Sequence, residues 1–155
     1  MKLYEIAASV NALAVQGDMS VEVTGLCAES HKVKKGDLFF CYKGERFNSH
    51  SCAAQVAASG AVALVCEKKL NCPLPQIIVG DGREAMTAAA RAFYGFSDKK
   101  LKIVAVTGTN GKTTTTYMLN SIFGAAGLSA GVIGTLGISF AGRFISPELT
   151  TPDPI

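Results

Sequence analysis

Apolar and polar positions fall into short blocks along the chain, and the period of the blocks keeps switching between helix and strand. Residues 3–13 space their apolar side chains as a short amphipathic helix, while 21–27 and 38–42 read as strands, the second following Gly36-Asp37. The Ala-rich block 51–59 predicts a helix stopped at Gly60, and 61–66 is a continuous apolar strand. Cys72-Pro73-Leu74-Pro75 forbids regular structure, and 76–79 is another strand. Asp81 or Gly82 then opens a helix that runs to Tyr94 and ends at Gly95. Alternation of this kind predicts a three-layer α/β domain with a largely parallel sheet. The pattern changes at Ser97-Asp98-Lys99-Lys100, which divides the chain into a domain over 1–98 and the opening of a second over 99–155.

In the second part, an apolar run (Ile103, Val104, Ala105, Val106) predicts a strand. From Tyr117 to Gly142 no residue is charged, and Gly127 and Gly131 form a G-x-x-x-G spacing of the kind seen between membrane helices. Five glycines (124, 127, 131, 134, 137) with Asn120, Ser121, Ser129 and Thr135 leave few long side chains to face lipid. The better parse is a helix ending near Ala126, a stop at Gly127, and a buried strand over 130–133. The expectation is no membrane span.

Composition narrows the class. With 48% apolar and 17% charged residues, the chain can build a packed core and is too apolar for disorder. The net charge of +3 suits an anionic nucleotide, but there is no long basic run and no Trp, so a nucleic-acid partner is not expected. The five cysteines (27, 41, 52, 66, 72) include no C-x-x-C pair, and the two histidines (31, 50) have no ligand spacing. They read as reduced, buried small hydrophobes rather than a zinc site. Met-Lys-Leu-Tyr-Glu lacks the apolar region of an export signal, so a cytoplasmic location is expected.

The chemistry concentrates in 102–116, Lys-Ile-Val-Ala-Val-Thr-Gly-Thr-Asn-Gly-Lys-Thr-Thr-Thr-Thr. Strand, glycine-framed loop, then helix is the order that a phosphate cradle requires. Gly108 and Gly111 let backbone N–H groups approach phosphate oxygens, and a helix N-terminus adds partial positive charge. Lys112 supplies a point charge for the outer phosphates, and the Thr113 hydroxyl suits a Mg²⁺ ion bridging them. The general G-x-x-x-x-G-K-[ST] pattern expects glycine at 106, where this chain has valine. The competing reading is a glycine-rich turn with an incidental lysine.

Gly-Thr-Asn-Gly-Lys-Thr-Thr at 108–114 resembles the ATP loop of the Mur ligases, the ATP-dependent amide-forming enzymes of peptidoglycan synthesis. Folylpolyglutamate and cyanophycin synthetases carry related loops. Gly134-Thr135-Leu136-Gly137 followed by Leu149-Thr150-Thr151-Pro152-Asp153 is similar to the MurE type, which adds the third stem-peptide residue to UDP-MurNAc-L-Ala-D-Glu. Residues 29–40, with Ser30 and Gly36-Asp37-Leu38-Phe39, resemble that type's N-terminal segment. The resemblance covers nearly all of the chain and about the first third of such an enzyme.

The resemblance implies a UDP-substrate-binding domain followed by the truncated start of a P-loop ATPase domain. It implies ATP contacts from Gly108, Thr109, Asn110, Gly111, Lys112, Thr113 and Thr114, with Lys112 catalytic and Thr113 the Mg²⁺ ligand. UDP-substrate contacts fall on Ser30, Glu45, Arg46, Phe47, Thr150 and Thr151. Read without the family, Ser30 is better taken as a cap or turn residue and Arg46 as a solvated loop charge. Two departures stand out: His31 where arginine is usual, and Asn48-Ser49-His50 for the common Asp-Gly-His. The implied reaction phosphorylates a D-Glu side-chain carboxylate and displaces phosphate with an amine, L-lysine or meso-diaminopimelate. These residues alone are expected not to turn over, and to self-associate through exposed apolar surface.

Two rivals remain. One is a stand-alone module for a UDP-sugar or a protein partner that retains an ATP loop. The other is an NTPase of another P-loop family, which needs a strand ending in Asp; none occurs between Thr113 and Ile155.

Overall fold

The structure is a computed structural model that describes residues 1–44, 48–146 and 154–155. It forms two compact units, one of residues 1–101 with 154–155 and one of residues 102–153.

In the first unit the order is α1 (Leu3–Ser9), β1 (Ala12–Gln16), β2 (Gly25–Cys27), β3 (Asp37–Cys41), a 3-10 turn (Ser49–Cys52) running into α2 (Ala53–Ala58), β4 (Ala63–Cys66), β5 (Gln76–Val79) and α3 (Gly82–Phe93). The strands make one sheet in the order β1-β5-β4-β3-β2. β2 to β5 are parallel, and β1 runs antiparallel along β5.

The period of two along each strand produces the layers. Leu38 and Phe40, Ala63 and Val65, Ile77 and Val79 face one core with Leu3, Ile6 and Val10 and with Ala85, Met86 and Ala89 of α3. Phe39 and Cys41, Leu64 and Cys66 face the other, under Ala53 and Val56 of α2. Each central strand therefore buries both sides, which is why β3 and β4 read as unbroken apolar runs. Phe39 and Phe40 are both fully buried, on opposite faces. Each contributes on the order of 1.5–3 kcal/mol of burial.

Sequence reading places 76–79 and the span of α3 correctly, and Asp81 caps that helix by accepting from Arg83 N at 2.8 Å and Glu84 N at 3.0 Å. Other elements differ. The helix expected over 3–13 stops at Ser9, and Ala12–Gln16 is a strand. Leu3, Ile6 and Val10 hold helical spacing and share one core, but Val10 is already extended, with φ −103° and ψ 154°. Pairing with β5 overrides the helical preference of Ala and Leu there. The strand expected over 21–27 shrinks to Gly25–Cys27, because Val21 and Val23 spend their backbone bonds on Leu3 and Met1.

The second unit holds α4 (Lys112–Ala125), β6 (Gly131–Gly134), β7 (Gly137–Phe140) and β8 (Arg143–Ile145), the strands forming an antiparallel sheet in that order. Gly127, at φ +74°, ends α4: its N–H reaches Gly124 O at 3.0 Å and the Leu128 N–H reaches Phe123 O at 2.9 Å. The strand expected over 130–133 exists one residue later, yet only Val132 of it is buried, so it is not the buried strand that the sequence suggests. Residues 103–106 form no strand. Ile103 is 77% exposed, and among the described residues no neighbouring strand pairs with its backbone, without which an apolar run cannot become a ladder. Among the described residues no helix is long and apolar enough to cross a membrane. None of the five cysteines is in a disulfide; Cys72 is half-buried and the rest are buried. No cluster of three metal-ligating side chains occurs among the described residues.

Candidate functional site

The loop before α4 turns on two glycines. Gly108 sits at φ +143° and Gly111 at φ +78°, values that side-chain-bearing residues rarely adopt, and Gly111 is the N-cap of α4. Intrahelical bonding starts with Thr115 N to Gly111 O at 2.9 Å. The N–H groups of Lys112, Thr113 and Thr114 in the first turn therefore have no carbonyl within the helix. Lys112 folds back so that its ammonium donates to the carbonyl oxygens of Gly108 and Thr109, the second at 3.2 Å. This puts a cation, the helix N–H groups and the positive end of a 14-residue helix beside one glycine-framed loop.

Thr113 is exposed, with Oγ1 3.4 Å from Thr135 Oγ1 at the tip of the β6–β7 hairpin. Hydroxyl oxygens are hard donors of the type Mg²⁺ takes, and that ion completes its shell with water and phosphate oxygens. The residues present thus fit a phosphate-bound Mg²⁺ held through Thr113. Thr114 also lies in the first turn of α4, beside Lys112 and Thr113. Thr135 was not among the site residues that the loop motif indicates; its approach to Thr113 depends on a hairpin tip meeting the helix.

The second candidate region lies at the carboxyl ends of the parallel strands, where open α/β sheets place ligands. Ser30 is in the turn just beyond β2, closed by Lys32 N to Glu29 O at 2.9 Å, and is half-buried. Glu45, Arg46 and Phe47, and likewise Thr150 and Thr151, lie outside the described residues. Beyond β3, Lys43 and Asn48 bridge each other.

Both departures in Asn48-Ser49 are accommodated. Asn48 Oδ1 caps the 3-10 turn by accepting from His50 N at 3.2 Å. Ser49 Oγ accepts from Tyr42 N at 2.9 Å and donates to Tyr42 O at 3.0 Å. His31 stays exposed, 3.3 Å from the Glu29 carboxylate.

Glu67, beyond β4, was missed by sequence reading, since a lone acid before Lys68-Lys69 looks like a solvated charge. Its Oε2 accepts from Lys43 N at 3.3 Å, its Oε1 from Gly82 N at 3.1 Å, and its own N–H donates to His50 Nε2 at 3.1 Å. Gly82 permits this approach: a β-carbon there would lie 2.6 Å from Tyr42 Cβ and 3.2 Å from Cys41 O. Arg83, in the first turn of α3, lies over the Tyr42 ring at 5.4 Å. Burial pushes the His50 imidazole below its ordinary pKa, Glu67 pulls it back up, and Lys68 pushes it down.

Comparison with known proteins follows these two regions. Residues 22–108 match the Mur ligase family, catalytic domain, and residues 106–155 match the Mur ligase middle domain. The UDP-N-acetylmuramoyl-L-alanyl-D-glutamate–2,6-diaminopimelate ligase of Geobacter sulfurreducens is 40% identical over 157 residues, covering 100% of this chain and 31% of the relative. MurF from Acinetobacter baumannii superposes with a TM-score of 0.66 at 29% identity, over 80% of this chain and 27% of that one. MurF of Thermotoga maritima, solved in complex with ADP, gives a TM-score of 0.52 at 27% identity, over 71% of this chain and 25% of that one. The chain spans about a third of the length of the curated relatives it matches.

Proposed function

The chain belongs to the Mur ligase family, and from that premise we propose that the protein carrying these residues is an ATP-dependent amide-bond-forming ligase of peptidoglycan precursor synthesis. In this reading it adds an amino acid to UDP-MurNAc-L-Ala-D-Glu. The amine is L-lysine or meso-diaminopimelate, and the name of the Geobacter sulfurreducens relative favours the second.

The observation that carries the proposal is the Lys112 ammonium folded over the Gly108 and Thr109 carbonyls at the start of α4. When bound, ATP with Mg²⁺ supplies a phosphoryl group for the substrate carboxylate, ADP departs, and attack by the amine nitrogen then expels inorganic phosphate with loss of a proton. The loop's part in this is positioning and charge neutralisation. Its N–H groups and Lys112 hold the phosphate oxygens, and Thr113 holds the ion. Gly108, Thr109, Asn110, Gly111 and Thr114 frame the pocket. Ser30, Glu45, Arg46 and Phe47 take the uridine end of the substrate, and Thr150 and Thr151 the peptide end.

The boundary between the two roles is proposed at residue 98, close to the change of compact unit after Leu101. A cytoplasmic location goes with an ATP-consuming reaction. These 155 residues by themselves are proposed not to form the amide, because they span 31% of the relative. Exposed Ile103, Val104, Met118 and Ile122 support self-association at high concentration.

Calorimetric titration with ATP, with and without Mg²⁺, tests the assignment on wild type and Lys112→Ala. Magnesium-dependent binding that the variant loses supports it. Binding of the UDP-sugar with no response to Mg·ATP, in the longest form of the protein, would instead select the stand-alone binding module.

A further inference from the structure

Beyond β3, Lys43 and Asn48 are held by one hydrogen-bond network whose logic depends on a single proton. Glu67 N–H donates to His50 Nε2 at 3.1 Å, so Nε2 carries no hydrogen. The neutral ring then has its proton on Nδ1, and Asn48 Oδ1 lies there at 2.6 Å as acceptor. Asn48 is one end of a bridge. The other is Lys43, whose N–H is taken by Glu67 Oε2 at 3.3 Å. The remaining oxygen of Glu67 holds Gly82 N at 3.1 Å and so ties in the first turn of α3. His50 is buried, with its side chain 6% exposed. Asn48, His50 and Glu67 thus join the ends of β3 and β4 and the start of α3 at the rim where the nucleotide end of the substrate is placed.

We propose that His50, neutral and protonated on Nδ1, and Glu67 are positioning residues for recognition of the UDP ligand, fastening Lys43 and Asn48 to the end of β4 and to the start of α3. The inference rests on the reading of that rim as the UDP site. Protonation of Nε2 removes the acceptor for Glu67 N–H and sets two donors against each other. The ionisable groups facing the ring are the Glu67 carboxylate, with Oε2 3.9 Å from Nε2, and Lys68. The carboxylate can capture the new proton only by abandoning its present geometry toward Lys43 and Gly82.

The test uses the full chain, His50→Gln and His50→Leu. Glutamine places an oxygen acceptor near the position of Nε2 and does not titrate. The first measurement is amide protection by NMR at Lys43, Glu67 and Gly82 without ligand, between pH 7.5 and 5. Wild type is expected to lose protection as His50 protonates, and His50→Gln to keep it. The second is calorimetric titration with UDP-MurNAc-L-Ala-D-Glu over the same range, in which the ligand's diphosphate keeps its charge. Wild-type affinity should fall by about tenfold on acidification, the loss of one strong hydrogen bond. His50→Gln should show a flat profile, and His50→Leu weak binding throughout. Identical pH profiles for wild type and His50→Gln, or amide protection that ignores pH, overturn the proposal. No binding by wild type at pH 7.5 overturns the UDP-site reading and the recognition role with it, while pH-linked protection would still register the fastener.

Discussion

Lys112 Nζ donates to the carbonyl oxygen of Thr109, three residues back, at 3.2 Å. With its second bond, to the carbonyl oxygen of Gly108, the ammonium closes back onto the loop that precedes its own helix. Because it is exposed and its partners are loop carbonyls, removing it should leave the fold intact. Lys112→Ala is expected to lower Mg·ATP affinity by about tenfold or more, the scale of one charge-assisted contact, with the thermal midpoint unchanged. Calorimetry and a melting curve on the same sample check both halves. Unaltered affinity would remove the loop from nucleotide binding.

Gly82 is a glycine for reasons of space, not of backbone angle. A β-carbon there meets Tyr42 Cβ at 2.6 Å, Cys41 O at 3.2 Å and Glu67 Oε1 at 3.3 Å. Gly82→Ala should therefore push α3 away from the ends of β3 and β4 and cost about 1–3 kcal/mol, as overpacking does. It should also loosen the Gly82 N–H to Glu67 bond. Urea denaturation gives the first quantity and amide exchange the second. A neutral effect on stability would show that the helix start has slack.

The central layer was legible because its physics is local. Residues 38–41 and 63–66 are short apolar runs bounded by turn residues, the pattern expected of strands buried on both faces. The glycine turn into α4 was legible because Gly108, Gly111 and the helix that follows stand in a fixed order along the chain. What escaped depends on partners distant in sequence. Ala12–Gln16 becomes a strand only beside Gln76–Val79, and Val10 mimics one more helical turn because it joins the same core as Leu3 and Ile6. Residues 103–106 have strand composition but no ladder partner among the described residues. Glu67 and His50 lie 17 positions apart, and neither shows in the sequence that the other completes its hydrogen bonding.

The sheet face under α2 carries two thiols whose protons are hard to remove. Burial, the leading cause in each, pushes Cys41 from its ordinary 9.0 to about 12 and Cys66 to about 11. Both folded values are raised, so the native state holds these protons more tightly than the unfolded chain does. Their contribution is complete below pH 9 and is lost as pH rises from there toward 11 and 12. Stability from urea unfolding should accordingly fall across that alkaline window. Cys41→Ala with Cys66→Ala should be less stable at pH 7 but show a shallower alkaline decline. An unchanged slope in the double variant would mean that other groups govern it.

Gln76 is a buried polar residue, fully inaccessible, that works as a template for the segment before it. Its Nε2 donates to Leu70 O at 2.9 Å and to Cys72 O at 3.3 Å, and its Oε1 accepts from Leu70 N at 2.9 Å. The Cys66 thiol, on the neighbouring strand, reaches the same oxygen at 3.6 Å. Pro73 and Pro75 deny this segment ladder donors of its own, so a side chain supplies what secondary structure cannot. Gln76→Leu has a similar volume, and it strands the Leu70 N–H and the Cys72 C=O, while the Leu70 C=O keeps the Cys72 N–H at 3.0 Å. At about 1–3 kcal/mol for each of the two groups left unpaired, a loss of roughly 2–6 kcal/mol is expected. Gln76→Glu is the sharper control: at neutral pH it keeps an acceptor for Leu70 N but points charge at the Leu70 and Cys72 carbonyls. It should be destabilised more at pH 8 than at pH 5, where protonation restores one donor. Urea unfolding at the two pH values decides it, and equal losses would show that the carbonyls of Leu70 and Cys72 find other donors.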